Sequence, residues 1–160
     1  MAKKINKTNA MRILDSLHIA YDEIAYSIED GHIDGHSVYK KVGMEPDGFF
    51  KTLVTRGKDN AICVFVIPVL KELDLKKAAK AAGEKNVAMI AVKELLSITG
   101  YIRGGCSPIG MKKKFTTFFD QSIAHLDKIF VSGGKQGLLI GTTPVDILQA
   151  TEGNVADLTV

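Results

Sequence analysis

A lysine stands in the middle of an apolar run, Phe49-Phe50-Lys51-Thr52-Leu53-Val54. On a β-strand side chains alternate between faces, so Phe50, Thr52 and Val54 share one face and Phe49, Lys51 and Leu53 the other. Both faces are largely apolar. Removing an ammonium from water disfavours its charged form unless an anion or carboxylate compensates. A lysine so placed can meet a phosphate or a developing oxyanion. The same placement also suits an edge-strand lysine that blocks aggregation, its stem packed and its head wet. Spacing alone leaves both readings standing.

A second candidate is Thr99-Gly100-Tyr101-Ile102-Arg103-Gly104-Gly105-Cys106-Ser107-Pro108-Ile109-Gly110, with four glycines and a proline. Glycines let main-chain N–H groups converge and let a ligand approach closely. Such a concavity suits a phosphate or the oxyanion of an acyl-transfer intermediate. The segment lacks the Gly-Lys-Ser/Thr ending of a Walker loop and the G-x-G-x-x-G spacing of a dinucleotide fingerprint. An irregular connector is the competing reading. Cys106 inside it could be a nucleophile only beside a histidine. His18, His32, His36 and His125 are the candidates, and no local signature selects one. A small filler side chain is the preferred reading of Cys106, and a core position that of Cys63.

Asp30-Gly31-His32-Ile33-Asp34-Gly35-His36 offers two histidines and two aspartates. Its glycines loosen it and no second ligand group follows, so a solvated loop is expected and no metal. Lys112-Lys113-Lys114, with Lys76, Lys77, Lys80 and Lys85, could contact a nucleic-acid backbone or could be solvated faces.

The elements that must hold these residues follow from periodicity and turn chemistry. The first 17 residues read as a helix capped by Thr8 or Asn9, with Ala10, Ile13, Leu14 and Leu17 on one face. Ile19–Tyr26 reads as a strand and Ser37–Val42 as a short helix stopped by Gly43. Phe49–Thr55 and Ala61–Ile67 are strands joined by hairpin residues Gly57–Asn60. Asp74 caps a helix through Ala82. Val87–Ala91 is a short strand and Val92–Ile98 a helix ended by Gly100. Phe115–Phe119 reads as a strand followed by a helical turn. Lys128–Val131 and Leu138–Gly141 are strands joined through Ser132–Gln136. Pro144 opens a helix to Ala150, and Val155–Val160 closes as a strand. This order predicts one domain, residues 1–160, of α/β or α+β class on a mixed, curved sheet.

Composition bounds the rest. The chain has 160 residues, 46% hydrophobic and 24% charged, which excludes a disordered chain. Lysine and arginine total 21 against 18 acids, a net +3 that permits an acidic partner such as RNA. No apolar run approaches the roughly 18 residues of a membrane span. The basic N-terminus is followed by no apolar stretch, so a cytoplasmic address, reduced cysteines and no membrane partner are expected.

Taken together, Phe50-Lys51-Thr52-Leu53, Leu75-Lys76-Lys77-Ala78-Ala79-Lys80, Thr99-Gly100-Tyr101, Gly104 through Gly110, and Val131-Ser132-Gly133-Gly134-Lys135 resemble the YbaK/EbsC family. These are free-standing Cys-tRNA(Pro) deacylases, relatives of the editing domain inserted in bacterial prolyl-tRNA synthetases. The likeness covers nearly the whole chain in order. It implies a mixed, partly barrel-like sheet with flanking helices. It also implies removal of cysteine wrongly attached to proline tRNA, needed because a pocket discriminates weakly among small side chains.

By this resemblance Lys51 matches the family's essential lysine, and Thr52 and Tyr26 match pocket positions. Gly104, Gly105, Ser107 and Pro108 match the substrate loop, and Asp146 an acidic pocket position. Cys106 departs from the pattern, which carries an apolar residue there. No Ser-His-Asp set, metal set or placed Cys-His pair is evident in the sequence, which leaves positioning and electrostatics. Lys51 would anchor the terminal adenosine phosphate or neutralise charge at the ester. Amides of the Gly104–Ser107 loop would receive the carbonyl oxygen. The resemblance implies attack by the substrate's own thiol, giving a cyclic thioester, with no cofactor. The partners it implies are the tRNA acceptor end and prolyl-tRNA synthetase. Deacylation of another small amino acid such as alanine, a non-catalytic module that binds tRNA or the synthetase, and a thiol enzyme using Cys106 remain as alternatives.

Overall fold

The computed structural model describes residues 7–160. Its centre is a hairpin of β2 (Phe50–Arg56) and β3 (Ile62–Pro68), which places Lys51 opposite Ile67 and Thr52 opposite Val66. The turn lies where the sequence predicts it. Asp59 and Asn60 both take φ of 59°, a left-handed conformation these residue types tolerate. β3 runs parallel to β5 (Thr116–Asp120), and β5 parallel to β8 (Asn154–Ala156). The two-residue β4 (Ala88–Met89) pairs with the far end of β2, completing the order β4-β2-β3-β5-β8. A second, antiparallel sheet has β7 (Leu138–Thr142) between β1 (Asp22–Ala25) and β6 (Ile129–Ser132).

The class is mixed α/β, as expected, but the sheets do not close into a barrel. They touch where Phe49 bridges Phe130. Closure requires every edge strand to find a partner, and β1, β4 and β8 each keep a free edge among the described residues.

Five α-helices among the described residues flank the sheets. α1 (Asn9–Ser16) starts at Thr8, whose hydroxyl accepts from Met11 N–H. α2 (Gly35–Val42) starts at Asp34, and α3 (Leu75–Ala82) at Asp74. α4 (Val92–Thr99) ends at Gly100, and α5 (Pro144–Thr151) starts at Thr143. Such caps satisfy amides that a helix end leaves open, each worth roughly 1 kcal/mol.

β3 alternates between two apolar layers, which explains its unbroken apolar sequence. Val64 and Val66 join Phe50, Val54, Phe119, Ile140 and Leu14 of α1. Phe65 and Ile67 join Ala78 and Ala79 of α3. A third cluster holds Val38, Phe49, Val69 and Leu139. β2 is thereby covered on both faces, and truncating fully buried Phe50 to alanine would cost about 3–5 kcal/mol.

Most boundaries shift by one or two residues from the sequence reading, and three elements differ by more. The first helix spans Asn9–Ser16, while residues 1–6 of the expected helix lie outside the described residues. The first strand begins at Asp22 instead of Ile19. His18, at φ 57°, reverses the chain, and Ile19 N–H closes back onto Leu14 C=O at 3.0 Å. The last strand is Asn154–Ala156. Beyond it Thr159 forms an isolated antiparallel bridge with Leu73, closed by Asp74 N–H on Leu158 C=O (2.8 Å) and Val160 N–H on Glu72 C=O (3.1 Å), while Leu158 N–H donates to Asp120 Oδ1 (3.1 Å).

Candidate active site

A cleft of about 540 Å³ opens where the two sheets lean together. Tyr26 enters it from the end of β1, Phe49 and the first four residues of β2 (Phe50 to Leu53) from the central hairpin, Ser132 from β6 and Leu139 from β7. Arg103, Gly104 and Cys106 come from the loop after α4. The last wall is Gly31, Ile33, Asp34 and Gly35.

That last wall is the segment the sequence reads as a solvated loop. It is pinned by Lys41 of α2, whose Nζ donates to Ser27 C=O (2.9 Å), Asp30 Oδ1 (2.6 Å) and His32 C=O (2.8 Å). Gly35 lies so close to Val69 that a Cβ would meet Val69 Cγ2 at 1.9 Å. Asp30 is engaged by Lys41, and Asp34 caps α2 through Ser37. Among the described residues no group of three histidines, cysteines or carboxylates is gathered to hold a metal.

Lys51 is half-buried. Burial pushes its pKa below the ordinary lysine value, and the Glu72 carboxylate opposes this more weakly. No carboxylate forms an ion pair with Lys51 among the described residues. Two hydroxyl oxygens in the same cleft, Thr52 Oγ1 and Ser132 Oγ, are buried without a hydrogen-bond partner. An unpaired cation lining the cleft, with two buried hydroxyls that a side-chain rotation could bring to it, makes a site that a polar, anionic ligand would complete.

The glycine-rich loop is held from beneath. Thr99 Oγ1 accepts from Tyr101 N–H (3.1 Å) and donates to Leu95 C=O (2.8 Å). The buried Tyr101 hydroxyl donates to Ile109 C=O (2.6 Å). Gly104 takes φ +81°, and its carbonyl lies 3.5 Å from the Tyr26 hydroxyl. Gly105 lies against the Lys135–Gln136 backbone, where a Cβ would come within 2.9 Å. Its N–H donates to Ile102 C=O (2.9 Å) and is therefore spent. Gly104 and Cys106, which line the cleft, make no main-chain N–H bond outside helices and strands among the described residues, so their amides are free for a ligand.

The Cys106 thiol is pushed up to about 11 by burial, with a smaller opposing contribution from Thr99, so it is protonated at neutral pH. Its polar neighbour is Thr99 Oγ1 at 4.0 Å, and no histidine contacts it among the described residues. A ready thiolate is therefore not built here.

Of the residues singled out in the sequence, the cleft gathers Tyr26, Lys51, Thr52 and Gly104. Gly105, Ser107, Pro108 and Asp146 do not line it. Ser107 is fully buried, and its Oγ accepts from Ile109 N–H (3.2 Å). Pro108 lines a separate cleft. Asp146 lies in the first turn of α5, where its N–H is taken by Thr143. Sequence reasoning passed over Ser132 and Arg103. Both stand in segments it marked, the Ser132–Gln136 hairpin and the glycine-rich loop, but their direction depends on strand pairing.

The comparisons agree with this architecture. A model of the aminoacyl-tRNA editing domain matches residues 36–150. A protein of Enterococcus faecalis, provisionally named Cys-tRNA(Pro)/Cys-tRNA(Cys) deacylase EbsC, is 46% identical over 161 aligned positions, covering 99% of this chain and 98% of its own. A proline–tRNA ligase of Brachyspira hyodysenteriae is 29% identical over 87 positions, 54% of this chain and 15% of the ligase. The crystal structure of a protein provisionally named a trans-editing enzyme for prolyl tRNA synthetase superposes with a TM-score of 0.80 at 23% identity, over 98% of this chain and 99% of that one. At that identity the likeness speaks for the fold.

Proposed function

The chain belongs to the aminoacyl-tRNA editing domain family, and from that premise we propose that it is a trans-editing deacylase that removes cysteine from Cys-tRNA(Pro). The Enterococcus relative, named for this activity, aligns from end to end and supports the reading. The observation that carries it is the half-buried Lys51 amine, unpaired among the described residues, in a cleft that Thr52, Ser132 and the glycine-rich loop also line.

In this reading the aminoacyl ester lies between Lys51 and the glycine-rich loop. Lys51 meets the terminal adenosine phosphate or the charge that develops at the ester. The amides of Gly104 and Cys106 receive the carbonyl oxygen as it becomes an oxyanion, a contribution worth about 10²–10³ in kcat per donor. The nucleophile is the cysteine's own sulfur. A new S–C bond closes a cyclic thioester, the C–O bond to the ribose breaks, and the thiol proton passes to the departing ribose oxygen. Tyr26 and Thr52 line the pocket. Gly105, Ser107 and Pro108 act through the shape of the loop, and Asp146 is assigned no contact with the ester.

We further propose that residues 1–160 act as one domain in the cytoplasm and that prolyl-tRNA synthetase supplies tRNA selectivity. The partial match to a proline–tRNA ligase supports that link. No helix among the described residues is long and apolar enough to cross a membrane.

The test is a panel of mischarged tRNAs with wild type and Lys51→Ala. Cys-tRNA(Pro) should be deacylated by the wild type and far more slowly by the variant. Unchanged turnover removes Lys51 from the mechanism. Ser-tRNA should react much more slowly than the cysteinyl ester, and equal rates exclude attack by the thiol.

A further inference from the structure

The glycine-rich loop borders two clefts. Cys106 lines the one described above, and Pro108, two residues on, lines a second of about 520 Å³. Their Cα atoms can be no more than about 7 Å apart.

The second cleft has the surface a nucleotide needs. Leu17, Pro108 and Phe115 give it an apolar floor, and the aromatic ring can take a base by stacking without regard to sequence. The amide of Gln149 has no hydrogen-bond partner among the described residues and can meet a base edge. Three consecutive lysines, Lys112 to Lys114, lie at or beside the rim. Lys114 pairs with Glu152 at 3.2 Å, both largely exposed, and such a pair is weakly held. Lys113 lines the cleft and makes no ion pair among the described residues. Positive charge over an apolar, aromatic floor matches a nucleotide better than a lipid or an apolar peptide.

We propose that this second cleft seats a nucleotide of the tRNA acceptor end, 5′ of the esterified adenosine, with Lys113 on its phosphate. The proposal rests on the deacylase reading and deepens it. Two substrates separate the two: Cys-tRNA(Pro), and cysteinyl-adenosine, which has the ester but no preceding nucleotide. Lys113→Glu should raise KM for Cys-tRNA(Pro) roughly tenfold with kcat unchanged. It should leave cleavage of cysteinyl-adenosine as in the wild type. Lys113→Arg should restore the wild-type KM, and Gln149→Ala should raise KM in the same substrate-dependent manner. Lys80→Glu, an equal change of charge on α3 outside either cleft, should leave KM unaltered. An unchanged KM in Lys113→Glu, or an equal loss with both substrates, overturns the seat. Should the wild type cleave neither substrate, the deacylase reading fails, and binding decides the seat alone. Uncharged tRNA must then bind Lys113→Glu roughly tenfold more weakly than wild type, and equal affinity overturns it.

Discussion

Thr52 on β2 and Ser132 on β6 belong to different sheets, yet both line the same cleft and both keep a hydroxyl oxygen buried and unpartnered. A hydroxyl left so costs about 1–3 kcal/mol relative to one that is satisfied. The folded protein therefore carries stored polarity that a rotation of either side chain would offer to a ligand. Ser132→Ala and Thr52→Val should unfold in urea at the same or slightly higher concentration, a gain of at most about 1 kcal/mol each. Both should raise KM for the aminoacyl-tRNA. A clear loss of stability in both variants would show that the hydroxyls serve the fold.

Lys51 has a pH signature of known sign. Its pKa in the folded protein lies below the ordinary lysine value of 10.5, mainly through burial. At neutral pH the proton is bound in both states and the folded state carries the desolvation cost. That cost fades as pH rises through the lowered folded value towards 10.5. Lys51→Met should therefore be inactive but more thermally stable than wild type at pH 7, with the gap narrowing as pH rises. Melting curves at several pH values check this, and a constant gap would contradict it.

Cys106 behaves oppositely. The buried thiol is pushed up to about 11 from an ordinary value of 9.0. Between these values the unfolded chain loses its proton while the folded protein keeps it, so stability falls as pH rises through this window. Over the whole window the loss approaches about 2–3 kcal/mol, and Cys106→Ala should escape it. At pH 7 this variant should retain near-normal turnover. Complete loss of activity would instead identify a thiol nucleophile.

Gly105→Ala tests the loop's seating. The new methyl would lie 2.9 Å from main-chain atoms of Lys135 and Gln136, which cannot swing aside as a flexible side chain can. The expected cost is about 1–3 kcal/mol of stability, together with a fall in kcat as the neighbouring amides move. Parallel denaturation and single-turnover kinetics would resolve the two effects. Wild-type values in both would mean the loop tolerates the shift.

The hairpin at Gly57–Asn60 and the helix stops at Gly43 and Gly100 were legible because local turn and capping chemistry decides them. The conflict that marks Lys51 was legible because strand alternation needs no tertiary information. The direction of loop residues was not. Gly105 and Ser107 are buried away from the cleft while Cys106 between them lines it, an outcome of packing that seats Gly105 against Lys135–Gln136. The segment at residues 31–35 became a wall through Lys41, which collects acceptors 9, 11 and 14 positions away. Glycines and exposed polar residues gave no local sign of that restraint. Asp146 followed a family pattern, and the helix that bears it faces elsewhere.

The pairing of β1 with β7 has a consequence for biogenesis. Asp22 meets Gly141 and Ala25 meets Leu138, so the strand that delivers Tyr26 waits for a partner made near the end of synthesis. Contacts this distant in sequence slow folding, because the intervening chain must be closed before the contact rewards it. A ribosome-bound chain halted before residue 138 has no seat for Tyr26. Catalytic competence therefore arrives late in translation, and prematurely terminated products stay inert towards correctly charged tRNA.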